Sequence, residues 1–128
     1  MPILFHAGRI ILASLFILGG IDKIVTPERS IEAMTIVGLP FPAVLILAVI
    51  AVELGGGLAV AAGIGRVAQV AAIVLIAHTI AVNVLLHPFW SMTGDLARTE
   101  LSLFFKNIAV IGGLMMVASG ARSGKPVL

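Results

Sequence analysis

Long runs of apolar residues, separated by short polar intervals, make up most of this chain. Four of these runs have about 18 to 22 residues each, and a helix needs about 20 to cross a bilayer. They predict transmembrane helices over residues 3–21, 43–64, 67–86 and 101–118. An even number of crossings places both termini on the same side of the membrane.

The segment between the first two runs has the pattern of a short helix. Thr26 fits an N-cap, Pro27 fits the first helical position, and Glu28 lies in the first turn. Apolar positions follow at helical spacing until Gly38, and the proline-rich residues 39–42 then turn the chain. The predicted fold is therefore an all-α transmembrane four-helix bundle, with a short interfacial helix between helices 1 and 2.

Composition supports this fold class and excludes several functions. Hydrophobic residues make up 60% of the chain and charged residues 11%, so we expect one integral membrane domain over residues 1–128 without a separate soluble part. A net charge of +2 gives no reason to expect nucleic-acid binding. The chain has no cysteine, which excludes disulfides, thiolate catalysis and cysteine-bound metals. A redox role would need a redox group from a ligand or a partner.

The basic residues predict the orientation in the membrane. Four of them fall on the side of the termini: Arg9, Arg66, Arg122 and Lys125. Three fall on the other side, together with all the acids outside the spans: Lys23, Arg29 and Arg98. Because loops rich in Lys and Arg stay in the cytoplasm, we expect cytoplasmic termini.

Each apolar run contains an ionisable residue, and these are the candidate site residues. Glu53 and His78 fall near the middle of their spans, while Arg9 enters from the terminal side and Lys106 from the opposite side. A charge within a bilayer is costly unless it is paired or lines a polar cavity. We therefore predict one shared polar centre, to which Asn107 also belongs.

Two interpretations fit this centre. Glu53 could neutralise Lys106 or Arg9 and only fix the packing of the helices. Alternatively, the centre could be a cavity for a quinone head group, a proton or a small anion, because three basic groups exceed one acid. Neither interpretation includes a haem or a metal ion. His6 and His78 differ in depth by about 12 Å, and His78 and His87 lie about 13 Å apart on one helix.

A polar stripe follows His78 along the third span. Thr79, Asn83 and His87 recur every four residues and therefore share one helix face. They could form a polar path toward the outer surface, or each could bond to a neighbouring helix.

Small residues predict where helices approach closely. Gly55, Ala59 and Gly63 recur every four residues in the second span, and Ala109 and Gly113 do so in the fourth. We expect both helices to pack closely through these faces.

Several short segments resemble, in order, the DoxX family of small four-helix membrane proteins. These segments are Gly8-Arg9, Gly19-Gly20-Ile21-Asp22-Lys23, Gly38-Leu39-Pro40, Glu53-Leu54-Gly55-Gly56-Gly57, His87-Pro88-Phe89-Trp90 and Leu103-Phe104-Phe105-Lys106-Asn107 with Gly112-Gly113. The resemblance implies the four-helix fold in a bacterial-type inner (plasma) membrane, and it carries over Arg9, Glu53 and Lys106 as the polar core. The family takes its name from a thiosulfate:quinone oxidoreductase, and some members resemble partners in membrane oxidoreductase complexes.

The resulting hypothesis is a small or accessory subunit of a membrane redox system. Its polar core would bind a quinone head group or a small anion while a protein partner supplies electrons, so any enzymatic role is that of a subunit of a quinone-linked oxidoreductase. Quinone is the candidate cofactor, and no covalent or metal cofactor is expected. The alternative is a structural or assembly subunit of a larger membrane complex. A small-molecule permease is a third possibility, which would require a homo-oligomer.

Overall fold

The computed structural model describes residues 2–120 of the chain. In this range the elements are α1 (Pro2–Val25), α2 (Pro27–Ile36), α3 (Pro42–Ala62), α4 (Gly65–Leu86), a short 3₁₀ turn (Phe89–Ser91) and α5 (Gly94–Ala118). α1, α3, α4 and α5 are long and apolar enough to cross a bilayer. The predicted all-α fold with four spans and a short helix after the first is confirmed. The placement of α2 at the membrane surface stays a prediction.

Two of the spanning helices extend at least four residues beyond the apolar runs that predicted them. α1 continues to Val25 rather than ending at residue 21, and α5 begins at Gly94 rather than at residue 101. Hydropathy marks the part of a helix that suits lipid, whereas backbone hydrogen bonding continues through charged residues. The extension of α1 matters for function, because it includes Lys23.

Proline and glycine set the ends of the helices. Pro27 and Pro42 begin α2 and α3, where a missing backbone N–H costs nothing. Gly63 ends α3 with a φ of 68°, a left-handed conformation that glycine adopts without strain. Thr26 occupies the predicted N-cap position of α2, but its side chain makes no capping hydrogen bond.

The four long helices pack in a ring with one weak side. α1 packs against α3, α3 against α4, and α4 against α5, whereas α1 and α5 make far fewer contacts with each other. The buried core is built mainly from small and aliphatic side chains: Ala13, Phe16, Val60, Ala68, Ala72, Leu75, Leu114 and Val117. α2 lies over α1 and α3 at the end of the bundle where α3 begins. We call the weak side between α1 and α5 the seam.

Two close contacts of α3 involve glycines outside the predicted stripe. A Cβ on Gly57 would lie 2.9 Å from Ile17 Cγ1 of α1, and a Cβ on Gly56 would lie 2.9 Å from Leu75 of α4. Gly55 is exposed, and a Cβ there would meet no atom within 4 Å. The predicted packing face is therefore wrong at Gly55. The prediction holds for Gly113, where a Cβ would lie 3.3 Å from Leu12 of α1.

The outward surface of the bundle is apolar. Large aliphatic side chains on every spanning helix are more than half exposed, including Ile11, Leu18, Leu47, Ile73 and Met115. A soluble monomer rarely presents so much contiguous apolar surface, and a lipid-facing helix normally does.

Candidate functional site

A buried carboxylate on α3 links three helices. Glu53 Oε2 accepts a hydrogen bond from Lys23 Nζ of α1 at 3.0 Å, and Glu53 Oε1 lies 3.0 Å from His78 Nε2 of α4. The Glu53 side chain is 10% exposed, so this ion pair is largely shielded from the surroundings. We call Lys23, Glu53 and His78 the triad.

The last turns of α1 bring Lys23 to the triad. Its side chain extends back along the helix, where Nζ also lies 3.4 Å from the carbonyl oxygen of Gly19. Gly19 leaves room for the carboxylate, since a Cβ there would lie 3.1 Å from Glu53 Oε2. The long lysine side chain and the missing Cβ together let a charge near the helix end reach a buried acid.

The expected pairing of Glu53 with Arg9 or Lys106 is wrong. Arg9 Nη2 instead donates to the carbonyl oxygen of Ala61 at 3.2 Å. Arg9 lies 14 residues before Lys23 on α1, which places it about 21 Å away along the helix axis. Sequence reasoning missed Lys23 because it ended the first span at residue 21. The signal was available, since Lys23 follows Gly19 by one helical turn.

A cavity of about 250 Å³ adjoins the triad on the side of the seam. All four spanning helices contribute to its wall, and apolar side chains on α1 and α5 form much of it: Leu15, Phe16, Leu103 and Val110. Because α1 and α5 make few contacts and Leu15 is exposed, the cavity reaches the lipid-facing surface between these helices. We call it the seam cavity.

Lys106 lines the seam cavity without a partner of its own. Within residues 2–120 it makes no hydrogen bond and no ion pair, although it lies well inside a membrane-spanning helix. Lys23 and Glu53 neutralise each other, so Lys106 gives the cavity an excess of positive charge. Lys106 is exposed, and its ammonium is a hydrogen-bond donor that an anionic or carbonyl oxygen can accept from.

Asn107 and the polar stripe of α4 have separate partners. Asn83 is buried, its Nδ2 donates to Phe104 O at 3.1 Å, and its Oδ1 accepts from Asn107 Nδ2 at 2.8 Å. Thr79 Oγ1 donates to Leu75 O in its own helix, and His87 Nδ1 pairs with Glu100 of α5. The structure thus joins Asn83 and His87 to α5, and the hydrogen bonds do not link the three stripe residues into a chain.

A second cavity reaches the triad from the side of α2. It measures about 350 Å³ and includes Arg29 and Met34 of α2 in its wall, together with all three triad residues. The triad therefore separates the seam cavity from a cavity beneath the short helix. Among residues 2–120, no three His, Asp or Glu side chains come together in a way that could hold a metal ion.

The fold and the site define a class of protein: a small multi-pass membrane bundle with a buried ion pair beside a lipid-accessible cavity. The DoxX family model matches residues 4–88, which cover α1 to α4. The chain belongs to the DoxX family. The match ends before α5, so Lys106 and Asn107 lie outside it.

Comparison with curated proteins gives a relative of similar length. The inner membrane protein YphA of Escherichia coli (strain K12) is 28% identical over 117 residues, which cover 91% of this chain and 82% of YphA. This relative and the four candidate spans support a multi-pass inner membrane protein. No solved structure matches the chain.

Proposed function

We propose that this protein binds a quinone head group or a small anion in the seam cavity, as a small or accessory subunit of a membrane redox system. The observation that carries the proposal is Lys106, a cation without a partner among residues 2–120 that lines a cavity beside the triad. A protein partner would supply the electrons, because the chain has no cysteine for redox chemistry of its own.

The size and lining of the seam cavity suit a single substituted ring. An engineered apolar cavity of about 150 Å³ is large enough to bind benzene. The seam cavity measures about 250 Å³, and Phe16, Leu103 and Val110 offer an apolar surface for the ring. The Lys106 ammonium would donate hydrogen bonds to a ring carbonyl or to an anionic oxygen. A quinone with an isoprenoid tail could enter from the lipid through the seam.

The replacement of Lys106 by methionine tests this site. We expect a short-chain ubiquinone, added to the protein in detergent, to quench the fluorescence of Trp90 saturably, since Trp90 is the only tryptophan and contacts Phe104 on α5. The Lys106→Met variant should raise the dissociation constant about tenfold, the loss expected for one hydrogen bond from a charged donor. Thiosulfate competition at constant ionic strength would show whether an anion uses the same cavity.

The matched control is Arg98→Gln, which removes one positive charge from an exposed part of the same helix. Equal quenching in the wild type, Lys106→Met and Arg98→Gln would contradict a ligand site in the seam cavity. The absence of saturable binding of any probe to the wild type would also contradict a ligand site in the seam cavity.

A structural or assembly subunit is the second candidate, and the triad favours it. Glu53 joins α1, α3 and α4, so the ion pair fixes the relative rotation of three helices. On this proposal, the largely apolar outer surface would contact other subunits or further copies of the chain. Gentle purification would then yield a stoichiometric protein partner, and the Lys106→Met variant would leave that complex intact.

We infer that both termini face the cytoplasm. Arg9 and Arg66 support this orientation at the terminal end of the bundle, while Arg122 and Lys125 belong to the same end in sequence but lie outside the described residues. A green fluorescent protein fused to the C-terminus should fluoresce, and alkaline phosphatase at the same point should be inactive. An active phosphatase fusion would place the termini on the outer side.

A further inference from the structure

A separate cavity lies at the end of the bundle opposite α2. It measures about 210 Å³ and is enclosed by the first half of α1, the turn between α3 and α4, and the end of α5. Its polar wall consists of Arg9, Arg66 and Gln69, and none of the described residues that line it is acidic. We call it the Arg9 cavity.

Arg9 is held in place, but its hydrogen bonds are incomplete. The guanidinium lies against Gly63, where any Cβ would overlap it, and Arg9 Cζ lies 6.0 Å from the centre of the Phe5 ring. One amino group donates to Ala61 O, whereas Nε is buried and has no hydrogen-bond partner among residues 2–120. A buried cationic donor without an acceptor is unfavourable, so an acceptor beyond residues 2–120 is expected.

A second arginine adds to the positive charge of this cavity. Arg66 is exposed and makes no ion pair within residues 2–120. Two guanidinium groups in one wall repel each other unless an anion lies between them. Arg66 also lies in the first turn of the long helix α4, whose N-cap residue Ile64 provides no side-chain hydrogen bond. The free backbone N–H groups of that turn are further donors.

We propose that the Arg9 cavity binds a phosphate group. Guanidinium groups bind phosphate oxygens through paired hydrogen bonds, and Arg9 and Arg66 both line this cavity. The Arg9 guanidinium lies against Gly63, and the cavity includes Gly65 and Arg66 at the start of α4, so the site is at the end of the bundle, where a lipid head group can approach it. The phosphate would come either from a phospholipid head group or from the aqueous phase. This site uses none of the triad residues and does not depend on the proposed redox function.

Ligand-dependent stabilisation tests the proposal on the full chain in a neutral detergent. Thermal unfolding would be followed by Trp90 fluorescence with three probes: dihexanoyl phosphatidylglycerol, dihexanoylglycerol as its phosphate-free counterpart, and inorganic phosphate at constant ionic strength. We expect the phosphatidylglycerol to raise the melting temperature in a saturable manner and dihexanoylglycerol to have no such effect. An equal effect of inorganic phosphate would show that the site also takes free phosphate.

Arg66→Gln is the informative variant, because Arg66 is exposed and without a partner in the described range, so the fold should tolerate the change. It should raise the dissociation constant of the phosphate probe by about tenfold, and Arg9→Gln should do the same. The control Arg98→Gln removes a charge from the opposite end of the bundle and should leave binding unchanged. The proposal is overturned if no phosphate-bearing probe stabilises the protein, or if Arg98→Gln weakens binding as much as Arg66→Gln.

Discussion

Replacing Lys23 by methionine should lower the free energy of unfolding by about 3 kcal/mol, near the lower end of the cost of breaking a buried ion pair. Among residues 2–120, the variant leaves the Glu53 carboxylate with His78 as its one remaining partner, at a position where the side chain is 10% exposed. Equilibrium unfolding in mixed micelles, followed by circular dichroism, measures the loss.

The double variant Lys23→Met with Glu53→Gln provides the matched comparison. Removing both charges of a buried pair is often close to neutral, so the double variant should be clearly more stable than Lys23→Met alone. Lys106→Met should change stability by less than about 1 kcal/mol, because Lys106 has no partner among residues 2–120. If Lys106→Met proved the more damaging single change, Glu53 would have to pair with Lys106 instead.

Replacing Gly57 by valine should destabilise the bundle by about 3 kcal/mol, the upper range for adding bulk to a packed interface. A Cβ at this position would lie 2.9 Å from Ile17 Cγ1 and 3.2 Å from the Ile17 backbone nitrogen. A side chain can rotate away, but the backbone of α1 would have to move. The shift would also pull Lys23 away from Glu53. Equilibrium unfolding in mixed micelles, followed by circular dichroism, measures this loss of stability.

Gly55→Val, two residues away on the same helix, is the control for the glycine substitution. A Cβ on Gly55 meets no atom within 4 Å, and valine has the better helix propensity by a few tenths of a kcal/mol. We expect a small change in the stabilising direction. A larger loss at Gly55 than at Gly57 would show that α3 packs through the face predicted from the spacing of its small residues.

The structure brings together most of the residues assigned to the polar centre, but it pairs them differently from the expectation. Glu53, His78, Lys106 and Asn107 were all expected at a polar centre, and the structure places them around the seam cavity. Arg9 was assigned to the same centre because its long side chain could extend inward. The structure instead places its guanidinium against the turn at Gly63, where a missing Cβ leaves space and Ala61 O offers an acceptor.

The spacing from Gly19 could place Lys23 on the same face of α1, but it could not predict the pairing of Lys23 with Glu53. Hydropathy predicts that a lysine near the end of a span lies at the membrane interface. A lysine without a partner would extend its ammonium toward the lipid head groups there. Whether it turns back depends on the distance between α1 and α3, which the contacts of Gly19 and Gly57 set. Those contacts form only in the packed bundle, and no periodic pattern in the sequence indicates them.

The sequence alone determines some features of this protein, and the packing of the helices determines the others. The number of spans, the short second helix and the presence of buried charges follow from hydropathy and helix-end residues, because bilayer thickness and backbone hydrogen bonding act on each segment independently. The pairing of Lys23 with Glu53, the seam cavity and the Arg9 cavity arise only in the folded bundle. Each residue turns a helix by about 100°, so the rotation and spacing of neighbouring helices decide which charges meet.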